Sequence, residues 1–307
     1  MSRIVGALQS PVLVREMRQR MLSRRGAFAI TVWLLLLTAI FALAYQGLSQ
    51  DDFGFNALSA ARIGREIFEW VLTGMIFIVM FLVPATTSGA IAGERERQTL
   101  VPLQVTLMSP LNIVLSKIAA AVVFTLLLIV LSAPLLALTY LIGGVTVGDL
   151  VKGIAMVELT ALMLGAVGVA CSAVVRRVQA ATVLAYGVVL FMFVGTFLLF
   201  GAAAVIDSAR GFDEPNPPKE ILALNPLVAT ADVFDRVGDG FGSDTSTPLG
   251  GLRSAVDELD RIGAGFRRDD IEATRVWRWY VVASVLVTYS AVALATTRVR
   301  TPARFER

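Results

Sequence analysis

The chain of 307 residues contains no histidine and one cysteine. Without histidine it lacks the usual general base, the commonest neutral metal ligand and the side chain that titrates near neutrality. The histidine ligands of an intramembrane metalloprotease are missing too. Cys171 sits in an apolar run and can form neither an intrachain disulfide nor a multi-cysteine metal site. It reads as a small buried hydrophobe, and no metal site is expected. Lysine is nearly absent: Lys117, Lys152 and Lys219 are preceded by Ser116, Val151 and Pro218. A P-loop needs glycine before its lysine so that backbone amides can wrap the phosphates, and no lysine here meets that condition. Charge of either sign is scarce, at 17% of residues against 56% hydrophobic. A soluble domain has about 25% charged and about 45–50% apolar residues, so the composition points to lipid as solvent. With a net charge of only +3, no nucleic-acid partner is expected.

What is present is a set of long apolar runs. A helix needs about 20 apolar residues to cross the hydrocarbon layer. Six segments approach that length: Gly26–Gln46, Phe68–Ile91, Ile118–Ile142, Gly153–Val175, Ala180–Ile206 and Tyr280–Thr297. The expected fold is therefore all-α, a multi-pass protein of the cell membrane, with the sixth span at 280–297. Ala42-Leu43-Ala44 has the form of a signal-peptidase site, but 25 residues precede the run, which favours an uncleaved first span. The connections divide by charge. Residues 1–25 carry Arg3, Arg15, Arg18, Arg20, Arg24 and Arg25 against Glu16 alone. The second connection carries Arg95, Arg97 and Lys117, the fourth Arg176 and Arg177, and the tail at 298–307 carries Arg298, Arg300, Arg304 and Arg307. The loop from Asp207 to Arg278 instead has 14 acids against nine bases. Lys/Arg excess in short loops marks the cytoplasm, so both ends are expected inside.

Several features lie on this frame. Ser10 and Pro11 can open a helix in which Leu13, Met17 and Met21 recur at four-residue spacing among Arg15, Glu16 and Arg18. Residues 1–25 thus read as an interfacial amphipathic helix, either a plain anchor or one that also touches a partner. Pro84 in the second span and Pro134 in the third are hinge candidates, since each removes an internal hydrogen bond. Ala161 with Gly165, and Gly168 with Ser172, offer small surfaces for close helix packing, within the chain or between subunits. Glu158 is the one acid well inside an expected span. It either snorkels outward or lines a pathway or subunit interface. The extracytoplasmic region 207–279 shows two helical apolar stripes, Ile221 to Val237 and Leu252 to Phe266.

The second cytoplasmic connection, within 92–117, reads Gly93-Glu94-Arg95-Glu96-Arg97-Gln98-Thr99-Leu100, with Leu103 and Leu107 beyond it and Ser109-Pro110 opening the next helix. By charge alone it is a solvated loop with ion pairs worth under about 1 kcal/mol each. Its apolar edge also suits insertion into a groove on a cytoplasmic partner. Together with Pro11-Val12-Leu13-Val14-Arg15-Glu16-Met17-Arg18, with Lys117 after Ser109-Pro110, with the six spans and with Asn225-Pro226 in the insertion before the last span, this block resembles the permease family of type-2 ABC exporters. The long acidic insertion departs from that pattern.

The resemblance implies that Gly93–Leu100 is a coupling helix docking on a separate cytoplasmic P-loop ATPase subunit. It implies that Arg15, Glu16 and Arg18 approach the same ATPase at the membrane surface. It also implies a second permease subunit, in a homodimer or heterodimer that forms the substrate path. This chain would bind no cofactor and catalyse nothing; ATP and Mg would sit on the partner. Motion at the coupling helix would enter the second and third spans. The alternative is a non-transporting membrane scaffold that recruits partners through its outer loop.

Overall fold

A computed structural model of the chain describes residues 24–51, 57–98, 110–209, 219–234, 247–252, 254 and 276–300. The described residues form helices and turns with no strand. In chain order these are α1 (Arg24–Asp51), α2 (Ala57–Thr87), the short α3 (Ala92–Glu96), α4 (Pro110–Leu131), α5 (Ala133–Ile142), α6 (Val147–Val174), α7 (Val178–Leu190), a π-turn (Phe191–Gly195), α8 (Thr196–Ala209), a 3-10 turn (Lys219–Leu224), α9 (Pro226–Val233) and α10 (Val276–Arg300). Six stretches are long and apolar enough to cross a membrane: Gly26–Leu48, Ser59–Glu96, Pro110–Leu131, Val147–Val174, Val178–Ala203 and Val276–Val299. The expected interfacial helix at 1–25 lies outside the described residues apart from the start of α1, as does nearly all of the second outer stripe.

The burial pattern suits a hydrocarbon solvent. Large apolar side chains face outward, among them Phe28, Leu35, Val183, Leu198 and Tyr289. α2 and α6 form the centre of the bundle, while α1, the α7–α8 rod and α10 lie at its margin. The main core runs through Trp33 and Leu37 of α1, Phe68 to Val83 of α2, Phe124 and Leu128 of α4, Met156 to Leu164 of α6, and Tyr280 of α10. Several polar side chains inside it are paired with one another, which removes the cost of an unsatisfied group in lipid. Trp33 Nε1 donates to Ser132 Oγ at 2.7 Å, and the Tyr280 hydroxyl meets Thr160 Oγ1 at 2.7 Å. The small residues of α6 pack within the chain: a Cβ on Gly165 would touch Ala121 and Val83, and one on Gly168 would run into Thr87.

Two spans differ from their expected form. The third was expected at Ile118–Ile142. It is instead α4, 22 residues from Pro110, followed by a break at Ser132 and the ten-residue α5. At about 1.5 Å per residue α4 alone reaches about 33 Å, enough to span. Pro134 therefore lies in the first turn of a new helix, where its missing N–H costs least. Helix α2 starts eleven residues before the expected second span, and the added turns carry Arg62, Arg65, Glu66 and Glu69 paired at i,i+4.

In the long loop, the stripe at 221–237 is not one helix. Asn225 divides it into the 3-10 turn and α9, capping α9 by accepting from Leu227 N at 3.1 Å and Val228 N at 3.4 Å. Its amide donates to Phe193 O and Thr196 Oγ1, each at 3.0 Å, and so fastens α9 to the π-turn of the fifth span. Asn225 is fully buried. Asn225→Ala is expected to lower stability by about 2–3 kcal/mol through loss of the cap and stranding of buried partners. The check is the midpoint of thermal unfolding in detergent; an unchanged midpoint would show the cap to be dispensable.

Candidate functional site

The break after α2 builds the site. Pro84 stands one turn before the end of α2 and leaves the carbonyl of Met80 without its helical partner. Beside it the Tyr186 hydroxyl of α7 donates to Phe81 O at 2.8 Å. Thr86 and Thr87 hydroxyls both return to Val83 O, and the chain then turns through Ser88 and Gly89 into α3. Ile91 and Ala92 enter the bundle with no exposure, and Ile91 joins a second core with Val114, Ile118, Val169, Ala173, Ala295 and Val299.

The amides of Ile91 and Ala92 both donate to Ser172 Oγ of α6, each at 2.9 Å. A side chain 80 residues away thus takes the place of a local cap for α3, whose own N-cap residue makes no side-chain bond. Glu94 Oε1 accepts from Lys117 Nζ of α4 at 2.8 Å. Lys117 is almost wholly buried; its aliphatic stem lies along apolar α4 while the ammonium reaches the elbow. Arg95 points its guanidinium at Ala173 O, at 3.5 Å from both terminal nitrogens. Glu96 Oε1 accepts from Val178 N at 2.8 Å and so caps α7, which has no side-chain cap of its own. Ser88 Oγ meets Thr182 Oγ1 at 2.9 Å on the same helix. α3 ends with Gln98 in the left-handed region at φ 57°, a conformation that favours glycine.

Of the candidate residues, Gly93, Glu94 and Arg95 are half-buried and turned toward the bundle, whereas Glu96, Arg97 and Gln98 are exposed. Thr99 and Leu100 lie outside the described residues, as do Arg15, Glu16 and Arg18. Glu158 is elsewhere, 14 residues up α6 from Ser172. It is half-buried, one turn beyond exposed Ala155 and one turn before Leu162, which packs against the second core. Both its oxygens are covered, and neither has a hydrogen-bond partner among the described residues. The elbow is thus fastened mainly to α4, α6 and α7, the third, fourth and fifth spans. In the sequence Ser172 stands out only as a small residue, and Lys117 only as a basic one that follows Ser109-Pro110. No local pattern links either to residues 91–94. Among the described residues, no group of acids and Cys171 could hold a metal ion.

A family model described as an ABC-2 family transporter protein matches residues 64–294. The match takes in the last five spans, the elbow, Glu158 and the loop before the last span. No curated protein matches the chain.

Proposed function

Because the chain belongs to the ABC-2 family of transporter proteins, a multi-pass membrane component, we propose that it is the permease subunit of an ATP-driven exporter, paired with a second permease subunit and driven by a separate cytoplasmic P-loop ATPase. The observation that carries this reading is the short helix α3, set at one end of the bundle with Arg97 and Gln98 exposed and Ile91 to Glu96 tied to three spans. ATP and Mg sit on the partner. Closure of the ATPase pair pushes on α3, and the push passes through Ser172 and Lys117 into α6 and α4, and through Glu96 into α7. α2 follows through its continuous chain, with Pro84 as its bend. ATP shifts the membrane conformation only as far as it binds one state better than the other. Glu158 faces the second subunit or the substrate path, where an unpaired intramembrane carboxylate has a role to play.

This assignment separates two kinds of variant. Glu94 and Glu96 make internal contacts, so their loss loosens the elbow itself. Arg97 is exposed and makes its contact with the ATPase. When the full chain is purified in mild detergent with its ATPase, a ratio of about one to one is expected. Arg97→Glu should lower recovery of the ATPase about tenfold, equivalent to about 1.4 kcal/mol of docking energy. A single cysteine at Gln98→Cys, in a Cys171→Ala background, should react only with reagents that enter the cytosol. Labelling of that cysteine from outside intact cells, or absence of any P-loop ATPase from the purified complex, overturns the proposal.

A further inference from the structure

At the end of the bundle opposite the elbow, α2 carries a buried ionic cluster that the transporter reading does not use. Arg65, Glu66 and Glu69 are 6%, 2% and 0% exposed. The Arg65 guanidinium binds Glu69 Oε1 and Asp149 Oδ2, both at 3.2 Å, and lies 5.1 Å from the centre of the Phe234 ring. Asp149 belongs to the capping box of α6 with Thr146. Glu69 Oε2 accepts from Thr247 Oγ1 at 2.7 Å, and the same hydroxyl accepts from Gly250 N at 2.9 Å. Phe234 also meets Phe68 edge to face at 5.6 Å. One arginine and one glutamate of α2 therefore hold two separate parts of the long loop, Phe234 after α9 and Thr247 before the turn that buries Leu249.

We propose that Arg65 and Glu69 are a latch that fastens two described parts of the long loop, at Phe234 and at Thr247, to the outer ends of α2 and α6, and that export requires this latch to part. Arg65, Glu69 and Asp149 stay paired on the spans, so parting costs only the Thr247 bond to Glu69 and the cover of Phe234 over Arg65. The loop parts are short: α9 has eight residues, and the turn after Thr247 has fewer. Their apolar side chains Leu227, Val233, Phe234 and Leu249 pack into the main core, so opening them means withdrawing these groups from the ends of the spans. α2 is also the helix that leads to the elbow, so displacement at α3 can reach the latch through the turn at Ser88 and Gly89 and then along α2. Arg65 and Glu69 act here as positioning residues. The second half of the proposal rests on the transporter reading; the first half does not.

The test uses the full chain with Cys171→Ala and one reporter cysteine, Val233→Cys or Leu252→Cys, and an impermeant maleimide. With the latch intact both reporters should react slowly. Thr247→Val removes only the loop's hydroxyl and leaves Arg65, Glu69 and Asp149 paired; it should raise labelling of Leu252→Cys about tenfold, and Thr247→Ser should restore the slow rate. Arg65→Met should raise labelling at both reporters, and Arg65→Lys less so. Unchanged labelling in Thr247→Val and Arg65→Met overturns the latch, provided that both retain the unfolding midpoint of the parent within a few degrees. In the purified complex in nanodiscs, ATP with vanadate should speed labelling when the latch is intact. A complex that hydrolyses ATP while labelling stays indifferent to nucleotide overturns the role in export. A chain that carries no ATPase overturns the transporter coupling alone, because the first comparison needs no nucleotide.

Discussion

Replacing Ser172 by alanine is expected to free the elbow from the bundle while leaving every span in place. Ser172 Oγ is the acceptor for both Ile91 N and Ala92 N, each at 2.9 Å, in a position with no exposure. Alanine removes the acceptor and nothing large enough to let water replace it. Two buried N–H groups lose their partner, at about 1–3 kcal/mol each, so about 2–6 kcal/mol is lost in total. The loss falls on one local element, because Ile91 and Ala92 begin α3 and their amides have no carbonyl four residues back to turn to. Hydrogen exchange across residues 88–98 should therefore accelerate at least about a hundredfold, the factor that corresponds to about 2.7 kcal/mol of lost protection. Exchange in α6 should hardly change. ATPase recovered with the chain should fall along with it. Cys171→Ala, one residue away and without such a bond, should leave the same peptide protected. Equal exchange in Ser172→Ala and its parent would remove Ser172 from the coupling path.

The reason this contact had to be seen rather than read bears on how much a sequence of this kind discloses. The spans were legible because a 20-residue apolar run has few other meanings. The start of α4 at Pro110 was legible from Ser109-Pro110, and the position of the elbow from four alternating charges beside a loosening helix. Thr146-x-x-Asp149 was a readable capping box, and Asn225-Pro226 a readable cap and first turn. Asn225-Pro226 enters the sequence analysis as a mark of family resemblance and not as a cap, which is why 221–237 reads there as one helix and folds as two pieces. The early start of α2 was hidden for a related reason. Arg62, Arg65, Glu66 and Glu69 look too polar for a membrane helix until their pairing at four-residue spacing is counted, and that pairing cancels most of their charge. Ser172 to Ile91, Lys117 to Glu94 and Glu96 to Val178 were not legible at all. Each joins residues more than 20 positions apart, and no local propensity encodes which spans are neighbours.

Gly144→Ala is expected to be the most damaging single methyl addition in the described part of the chain, and it follows from how tightly α2 approaches the turn before α6. Gly144 has φ +76°, where an L side chain strains the backbone by about 1–2 kcal/mol. A Cβ there would also run into Ala61 O and come within 2.6 Å of Ala61 C. Neither atom can swing aside, because both belong to the backbone of α2. Gly64 meets the same constraint from the other side, since its Cβ would strike Gly143 O. Relief requires α2 to move off the turn, and overpacking of this kind costs about 1–3 kcal/mol, so about 2–5 kcal/mol in all. That movement also draws Arg65 away from Asp149, five residues beyond Gly144, and strands a carboxylate. Gly144→Ala and Gly64→Ala should accumulate poorly in membranes and melt far below the parent. Gly187→Ala and Gly201→Ala are the matched controls: neither Cβ would meet anything within 4 Å, and alanine favours a helix interior by about 0.5–1 kcal/mol. If all four variants melt together, the approach of Ala61 to Gly144 is looser than described. The ionic cluster beside it would then owe its geometry to the charges alone.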